Sequence, residues 1–515
     1  MDQFSLLKTQ KGLWKQATFC QADDMALSER IGVRTIAALL PNLDRQTGPR
    51  YLSLSSCLAT LLLDGRLAPG SRLPSERDLA LVLKLSRATV TAAYDQLGRE
   101  GMLVRRRGSG SYLTLPTSVQ ISGPGARMAR EQHGESALDL SIACLPALGN
   151  QIETAMHQAA DRIGSYTIRG GYHSYGLPEL RALIAERYCR RGIPTTVDNI
   201  LVTNGAQHGI DLLLRLMISA GDRVLTELPT YPGALEAIRS HQARAVAVPF
   251  GPDDSWNPAA IRNTMLQTSP RLAYLIPDFH NPTGVLVDTE RREQVLSAAR
   301  RAGTTIVVDE SFIDLDLRDP ELSSPAPPAM AALDTAVISV GSLSKPLWGG
   351  LRIGWIRTEV EQVQRLAIVR ARSDMSGSVI DQLVAGILLA ELDQALDARR
   401  CELRLKRDAL LQALRVELPS WRPTVASGGL STWVRMDRPV ATPLTQLLEQ
   451  RGVLLTPGSR FALDGTLERF LRIPFALPVA DLQVAVHRIS ETYRELPDVG
   501  HSARVERGHN SLVPA

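Results

Sequence analysis

From about residue 137 onward, short apolar runs rich in β-branched residues alternate with stretches of helical periodicity. Buried strands that alternate with helices form a mostly parallel sheet with helices on both faces. The runs are NILVTN, RVLTE, RAVAVPF, LAYLIPD, TIVVDE and AVISVGS, and helices are expected between several of them, as at residues 206–219 and 288–302. The pattern predicts a large α/β domain over residues 137–496, with a smaller and more helical C-terminal lobe from Asp381 onward.

A different pattern occupies residues 50–115, as expected for a chain of 515 residues, which is too long for one ordinary domain. A helical stretch at residues 51–64 is followed by two more, which begin after the capping residues Ser75 and Ser86 and are joined by a short turn. The segment MLVRRRGSGSYLTL then predicts two short strands around a tight turn. Two helices and a basic hairpin in this order predict a winged helix-turn-helix.

Positive charge is concentrated in this same segment. Between Arg50 and Leu115, ten basic residues stand against five acidic ones, whereas the whole chain carries a net charge of only +4. The remainder of the chain is therefore close to neutral, and the basic segment suits a polyanionic partner such as double-stranded DNA. The alternative is a small helical oligomerisation module whose arginines are solvated.

In a winged helix-turn-helix, the second helix enters the major groove with its first residues at the base edges, and neighbouring residues reach phosphates. The predicted base-facing residues are Arg87, Thr89 and Thr91. The other residues predicted at the DNA are the helix cap, four arginines that can reach phosphates and two wing glycines: Ser86, Arg77, Arg105, Arg106, Arg107, Gly108 and Gly110.

The rest of the chain is predicted to be extension, linker and tail. Residues 1–49 form an extension with one amphipathic helix between Met25 and Leu43, which packs on the DNA-binding unit or at a dimer contact. Residues 116–136 are polar and contain glycine, which suits a flexible linker. Residues 497–515 lack a core-forming pattern and are predicted to be disordered.

The sequence points to a cytoplasmic protein with no membrane partner. Its apolar runs are shorter than the roughly 18 residues that span a bilayer, and the first residues lack the apolar segment of a signal peptide. The five cysteines are widely scattered, without disulfide or metal-ligand spacing, as a reducing compartment would allow. We expect no metal site.

Polar residues follow several of the predicted strands, at the edge where open α/β sheets bind ligands. GAQHG opens a helix, so the backbone N–H groups of Ala206 and Gln207 can hold a phosphate. PTYPG, HNPTG and IVVDE place Tyr231, Asn281 and Asp309 after the next strands. A carboxylate at the end of so apolar a strand is costly unless it meets a cation. Each motif alone also suits a purely structural turn, cap or core residue.

The segment SLSKPLWGGLRIGW follows the last of these strands. Ser342, Ser344 and Arg352 are close enough along the chain to converge on one anion, and Lys345 lies between them. A lysine that acts as a carbonyl-reactive nucleophile needs desolvation or nearby positive charge to lower its pKa. The segment therefore predicts a reactive lysine beside a phosphate, although a surface lysine in a loop remains the alternative.

In this order, GAQHG, PTYPG, HNPTG, IVVDE and SLSKPLWGGLRIGW resemble the fold type I pyridoxal 5′-phosphate enzymes of the class I/II aminotransferase kind. The resemblance implies an internal aldimine at Lys345, with Asp309 at the pyridine nitrogen, Asn281 at the ring hydroxyl and Tyr231 stacked on the ring. It also implies a phosphate site made by Ser342, Ser344, Arg352 and the backbone of Ala206 and Gln207.

The same resemblance assigns two further residues and shows one position at which this chain differs from the family. Tyr172, in GGYHSYGLPELR, matches the family tyrosine that reaches the phosphate across a dimer interface, and Arg472, in RFLRIPFA, matches the arginine that binds a substrate carboxylate. The family usually has a tyrosine two or three residues after the strand aspartate, where this chain has Ser311 and Phe312. Asn281 and Ser311 are left to serve the ring hydroxyl, so the resemblance implies cofactor binding more strongly than efficient transamination.

The segment from PGSRLPSERDL to GSGSYL resembles the GntR family of regulators, and the resemblance covers the predicted DNA-binding domain of about sixty-five residues, 50–115. A GntR-like winged helix joined to an aminotransferase-like domain is the arrangement of the MocR subfamily of bacterial regulators, which the chain resembles nearly from end to end. The resemblance implies a homodimer that binds paired DNA half-sites and senses the cofactor, an amine or an amino acid through an aldimine at Lys345. The alternatives are an aminotransferase of amino acids with an accessory N-terminal domain, and a dual-function protein with slow half-transamination.

Overall fold

The computed structural model describes residues 32–40, 49–63, 67, 70–106, 110–114, 137–168, 170–251, 254–319, 324–463 and 465–496. Several predictions lie outside these residues: the linker, the tail, most of the N-terminal extension, and the wing residues Arg107 and Gly108. The chain divides into two compact units, the first within residues 1–58 and 68–114 and the second within residues 59–67 and 115–515.

The N-terminal elements confirm the winged helix-turn-helix. Ser75 Oγ accepts a hydrogen bond from the Asp78 N–H at 3.2 Å, and Ser86 Oγ accepts one from the Thr89 N–H at 3.0 Å, so both predicted caps are present. The hairpin is antiparallel and pairs Arg106 with Gly110. The elements are α1 (Val33–Leu39), α2 (Arg50–Leu63), α3 (Glu76–Leu83), α4 (Arg87–Arg99), β1 (Leu103–Arg106) and β2 (Gly110–Leu113).

The α3 and α4 helices share a small apolar core. Leu79, Val90, Tyr94 and Leu97 are buried, as their helical spacing predicts. The Tyr94 hydroxyl donates to the carbonyl of Pro74 at 2.9 Å and so ties α4 to the turn that precedes α3. This anchoring holds the first turn of α4, which carries the predicted base-facing residues, in a fixed place within the first unit.

The second unit is built around a seven-stranded sheet whose order is β4-β10-β9-β8-β7-β5-β6. All six predicted strands are present and run in one direction, and β10 lies antiparallel between β4 and β9. The first elements of this unit are β3 (Leu138–Leu140), α5 (Gln151–Arg162), α6 (Gly164–Thr167) and α7 (Pro178–Arg190). The sheet strands are β4 (Ile200–Thr203), β5 (Arg223–Leu228), β6 (Arg244–Pro249), β7 (Leu272–Leu275), β8 (Thr305–Asp309), β9 (Ile338–Ser342) and β10 (Gly354–Arg357).

Helices cover both faces of this sheet, as the alternation of strands and helices predicts. Within β7, Leu272 and Tyr274 belong to one apolar core, whereas Ala273 and Leu275 belong to the other. The helices between the strands are α8 (Ala206–Met217), α9 (Pro232–Ser240), α10 (Pro258–Thr268), α11 (Thr289–Ala302) and α12 (Met330–Leu333).

The C-terminal lobe contains a second sheet of five strands, in the order β11-β12-β14-β13-β3. The expectation of a mainly helical lobe is therefore incomplete, since β3 comes from the start of the unit and pairs in parallel with β13. The lobe strands are β11 (Arg422–Pro423), β12 (Ser431–Arg435), β13 (Val453–Pro457) and β14 (Phe470–Pro474). The remaining helices are α13 (Val360–Arg370), α14 (Val379–Ala390), α15 (Leu392–Glu417), α16 (Ala441–Gln450) and α17 (Val479–Glu495).

The helices also bear on whether the chain could cross a membrane. Within the part of the chain that is described, they lack the combination of length and apolar character that crossing a bilayer demands.

Candidate functional site

A cavity of about 310 Å³ lies where five strands of the large sheet end, and the C-terminal lobe closes its other side. The strands β4, β5, β7, β8 and β9 are each followed by residues that line it. Of the residues predicted at the cofactor and its substrate, ten line this cavity: Ala206, Gln207, Tyr231, Asn281, Asp309, Ser342, Ser344, Lys345, Arg352 and Arg472.

Lys345 lies in the cavity wall directly after β9. Its ammonium donates a hydrogen bond of 2.8 Å to the carbonyl of Ala143 and lies 5.7 Å from the centre of the Phe312 ring. Burial lowers the pKa of Lys345, and the guanidinium groups of Arg472 and Arg352 lower it further, while Cys144 and Asp309 act in the opposite direction. A larger share of this amine is therefore neutral, and hence nucleophilic, than in an exposed lysine.

Asp309 ends β8 with only 6% of its surface exposed. The phenol of Tyr274 donates to Asp309 Oδ2 at 2.6 Å, and the Ser311 N–H donates to Oδ1 at 2.9 Å. Burial and the neighbouring Asp309 carboxylate raise the pKa of Tyr274 well above its usual range, so this phenol stays a donor. The sequence reasoning missed Tyr274; the available signal was a hydroxyl within the otherwise apolar run LAYLI.

The turn between β4 and α8 lies against the guanidinium group of Arg352. Gly205 has φ +85°, and a Cβ at this position would lie 2.7 Å from Arg352 Nη2. Arg352 Nη2 in turn donates to the carbonyl of Asn204 at 3.0 Å. On the β9 side, the Ser344 N–H donates to Ser342 Oγ at 3.0 Å. The positive end of α8, the guanidinium group and the two serines together provide the charge and the donors that a phosphate requires.

Two buried amide oxygens also face this region. Asn281 Oδ1 and Gln207 Oε1 are both shielded from water and have no hydrogen-bond partner within the described ranges. Nearby, burial raises the pKa of Tyr231 to about 12, and the charge of Asp309 contributes in the same direction. Because buried acceptors are normally paired, these two oxygens fit a site that receives a ligand with hydroxyl or N–H donors.

The opposite end of the cavity is lined by residues of the C-terminal lobe. Arg472, on β14, is 7% exposed, donates to the carbonyl of Ser141, and lies 5.3 Å from the centre of the Phe461 ring. The cavity wall also contains an ion pair that was not predicted from the sequence. It joins Arg460 and Glu236, whose closest atoms are 3.7 Å apart. Neither residue belongs to a recognisable motif. They are distant in the sequence and meet only because the fold brings α9 and the turn after β13 together.

Tyr172 is the predicted cofactor residue that the structure places elsewhere. Its side chain is 70% exposed, and the described cavity is lined without it. The prediction that it acts across a dimer interface remains a prediction.

Most predicted DNA-contacting residues lie on the surface of the first unit. Arg77, Ser86 and Arg87 are exposed, Thr89 and Thr91 are half-buried, and Gly110 is half-buried in β2. Arg106 is exposed and lies 5.1 Å from the centre of the Tyr112 ring. These positions leave the first turn of α4 and the first strand of the wing accessible to a partner.

Arg105 is placed differently from the other arginines. It forms ion pairs with Asp95 at 2.6 Å and with Glu76 at 3.1 Å, which link the wing to α4 and α3. Arg72, which the sequence reasoning did not single out, packs against Gly110, where a Cβ would lie 2.7 Å from its Nε. Gly110 has φ +112°, so both the backbone and the close contact favour glycine there.

Two family models match the sequence. The model of class I and II aminotransferases matches residues 136–489, and the model of the gntR family of bacterial regulatory proteins matches residues 51–113.

Curated relatives resemble the chain over most of its length. The HTH-type transcriptional regulator YisV of Bacillus subtilis, named as uncharacterized, is 26% identical over 486 residues, which cover 87% of this chain and 96% of YisV. The HTH-type transcriptional regulator NorG of Staphylococcus aureus is 26% identical over 437 residues, which cover 79% of this chain and 95% of NorG.

Solved aminotransferase structures match a smaller share of the chain. The α-aminoadipate aminotransferase LysN of Thermus thermophilus, in complex with N-(5′-phosphopyridoxyl)-L-leucine, matches with a TM-score of 0.65 and 26% identity, over 73% of this chain and 96% of LysN. The multiple substrate aminotransferase of Thermococcus profundus matches with a TM-score of 0.65 and 22% identity, over 73% of this chain and 96% of its own, which shows a shared fold.

Proposed function

Because the chain belongs to the class I and II aminotransferase family and also carries a GntR-family winged helix, we propose that it is a DNA-binding regulator whose aminotransferase-like domain binds pyridoxal 5′-phosphate and an amino compound. The arrangement expected of the MocR subfamily is confirmed, and the similar regulators YisV and NorG cover 87% and 79% of the chain. The observation that carries the proposal is that one chain contains both an exposed recognition-helix start and a cavity lined by ten residues predicted at the cofactor and its substrate.

The residues in the cavity fit pyridoxal 5′-phosphate. Bound there, the cofactor supplies an aldehyde that condenses with amines and a ring that withdraws electrons. Arg352, Ser342, Ser344 and the start of α8 would hold its phosphate, and Asp309 would meet its ring nitrogen. Asn281 Oδ1, buried without a partner among the described residues, suits the ring hydroxyl. LysN, with 26% identity, holds a phosphopyridoxyl amino acid in the same fold.

The chain's own groups prepare the site for an amine. The lowered pKa of Lys345 favours the neutral amine that attacks an aldehyde, and the carbonyl of Ala143 fixes its position. Tyr274 holds Asp309, so that the carboxylate is oriented before a ligand enters. Arg472 offers a guanidinium group to the carboxylate of an amino acid.

The residues just after Asp309 favour a regulator over a dedicated aminotransferase. The chain has Ser311 and Phe312 where the resembled enzymes usually have a tyrosine, and Phe312 places an apolar ring 5.7 Å from Lys345. Lys345, Asp309 and Arg472 line the same cavity. Their presence supports a second candidate function, slow transamination alongside regulation.

We further infer a homodimer that places two winged helices on paired half-sites. Large apolar side chains are exposed within one stretch of the second unit, among them Ile168 at 80% and Tyr172 at 70%, and exposed apolar surface of this kind marks interaction sites. A small molecule can change DNA binding only if it binds two conformations with different affinity.

The test is a quantitative footprint on the DNA upstream of the protein's own gene, at fixed salt, with and without pyridoxal 5′-phosphate. We expect two protected half-sites whose occupancy or spacing changes with the cofactor in the wild type and not in Lys345→Ala. Unlocalised, salt-sensitive binding by both proteins, together with rapid turnover of an amino donor, would instead support the enzyme.

A further inference from the structure

Two charged side chains in the cavity wall are assigned no role by the proposed function. Glu236 lies in α9, which packs on one face of the large sheet, and Arg460 lies in the 3₁₀ turn Gly458–Phe461 of the C-terminal lobe. Both line the cavity that holds Lys345. The pair therefore faces the site from two different layers of the fold.

The two charges are close to each other without being hydrogen-bonded to each other. Arg460 Nη2 lies 3.7 Å from Glu236 Oε1, which is too long for a hydrogen bond, and the two side chains are 19% and 39% exposed. Burial raises the pKa of Glu236, against the effect of Arg460 and Arg239, and burial lowers the pKa of Arg460, against the effect of Glu236. Both groups are thus partly desolvated, which strengthens hydrogen bonds to a ligand.

The proposed function assigns a ligand group to each of the other charged side chains in the cavity wall. Arg352 serves the phosphate, Asp309 the ring nitrogen and Arg472 the carboxylate of the amino compound, so Glu236 and Arg460 remain for the distal end of that compound. A distal carboxylate would be attracted by Arg460 but repelled by Glu236. A distal ammonium would be attracted by Glu236 but repelled by Arg460. An apolar end would form no hydrogen bond with either charged group.

A primary carboxamide matches both charges at once. It carries an oxygen that accepts from a guanidinium group and N–H groups that donate to a carboxylate. Since the amide is neutral, it causes no repulsion with either residue.

Building on the proposed function, we propose that Arg460 and Glu236 form a subsite that selects an amino-acid effector with a primary carboxamide side chain. The amide oxygen accepts from Arg460, and the amide N–H groups donate to Glu236. The two residues are specificity residues, whereas Arg472 and Lys345 bind the part that all amino acids share.

The test is a titration of the full-length protein, loaded with pyridoxal 5′-phosphate, with five amino acids and alanine. Glutamine and glutamate form one matched pair, asparagine and aspartate form a second, and leucine is the apolar isostere of asparagine. The absorbance of the bound cofactor reports binding and gives each Kd. We expect one of the two amides to bind about tenfold or more tightly than its acid, as hydrogen bonds to charged groups allow.

Two variants and one control test whether the subsite causes the ratio between the Kd values of the acid and the amide. In Glu236→Gln, the preference for the amide should disappear or invert, because Arg460 then attracts the acid without opposition. In Arg460→Met, both ligands should bind more weakly, and the acid should be weakened more because Glu236 remains. Arg262→Met is the control, since Arg262 is an exposed arginine of α10 outside the described lining of the cavity, and its ratio of amide to acid affinity should equal that of the wild type.

The outcomes separate the subsite from the proposed function. Equal Kd values for amide and acid in the wild type, or a preference unchanged in Glu236→Gln, overturn the subsite alone. If the cofactor binds but no amino acid, alanine included, changes its spectrum, the amino-compound part of the proposed function is overturned together with the subsite.

Discussion

Tyr274 and Asp309 lie on neighbouring parallel strands, and the phenol of Tyr274 donates a hydrogen bond of 2.6 Å to Asp309 Oδ2. The register of the sheet pairs Tyr274 with Val307, so the hydroxyl reaches two residues further along β8 to the carboxylate. Together with the Ser311 N–H on the other oxygen, this contact compensates for burying the carboxylate. The large sheet itself therefore orients the group that we assign to the ring nitrogen of the cofactor.

Replacing Tyr274 by phenylalanine should weaken cofactor binding. The change leaves a buried carboxylate without one of its two donors, and hydrogen bonds to charged groups contribute about 1.5–3 kcal/mol, or roughly a 10- to 100-fold change in Kd. Titration of the apoprotein with pyridoxal 5′-phosphate, followed by absorbance, measures this Kd. Tyr188→Phe is the matched control, because Tyr188 is an equally buried phenol that donates to Glu310, outside the cavity lining. Similar Kd values for Tyr274→Phe and the wild type would show that Tyr274 has no such role.

The rate of cofactor attachment should depend on pH through Lys345. Burial lowers the pKa of this lysine, and Arg472 and Arg352 add to the effect. Since the neutral amine attacks the aldehyde, the rate should rise with pH and level off below the pH at which an ordinary lysine, of pKa about 10.4, loses its proton. Stopped-flow absorbance after mixing apoprotein with cofactor gives this profile.

The Arg472→Met variant tests the cause of that pH dependence. Removing one cation raises the pKa of Lys345, so the levelling-off should move to higher pH. A wild-type rate that is still climbing near pH 10 would contradict the interpretation.

The Gly205→Ala variant should impair the phosphate site specifically. Gly205 has φ +85°, and a Cβ there would lie 2.7 Å from Arg352 Nη2, so alanine displaces the guanidinium group. Gly221→Ala is a close control, because Gly221 has φ +86° and open space around the added Cβ. Both variants should lose stability because alanine is strained at a positive φ, at a cost of about 1–3 kcal/mol, but only Gly205→Ala should raise the Kd for pyridoxal 5′-phosphate. Thermal unfolding and cofactor titration separate the two effects, and equal Kd values for the two variants would contradict the assignment.

Residues at the ends of strands could be predicted from the sequence because the fold places them together by a simple rule. Apolar β-branched runs fix where the parallel strands end, and parallel strands end at one edge of a sheet, so Asn281, Asp309 and Lys345 could be grouped without coordinates. The capping serines Ser75 and Ser86 could also be predicted from the sequence, because a cap depends only on residues within one helical turn.

Contacts between distant segments could not be predicted in this way. Glu236 and Arg460 meet only because α9 and the turn after β13 face one cavity, and neither residue has a local signal. Likewise, Leu138 pairs with Val453 in the five-stranded sheet, and a strand of three residues gives too short a pattern to assign a partner. The four-residue strand β10 was also missed.

Arginines of the first unit should differ in their effect on DNA binding. Arg87 is exposed at the start of α4, whereas Arg105 is held by Asp95 and Glu76. Removing an arginine that binds a phosphate lowers the slope of log K against log salt by about one, whereas removing one that binds a base relaxes sequence preference. We expect Arg87→Met to weaken specific binding strongly and Arg105→Met to change the salt slope little. Fluorescence anisotropy over a salt series measures both quantities. A larger decrease of the slope in Arg105→Met than in Arg87→Met would mean that Arg105 exchanges its ion pairs for a phosphate.

Tyr172 should complete the cofactor site of a second copy of the chain rather than its own. Its side chain is 70% exposed, and the described cavity is lined without it. Separately, Tyr172→Ala should bind the cofactor weakly and Lys345→Ala should fail to retain it after reduction with borohydride. When the two variants are mixed and allowed to exchange subunits, a tyrosine that crosses the interface gives one intact site per heterodimer, with Lys345 from one copy and Tyr172 from the other. A tyrosine that acts within its own chain gives none. We therefore expect tight, borohydride-stable cofactor in the mixture at up to half the wild-type amount per heterodimer, and retention no better than that of the separate variants would contradict the assignment.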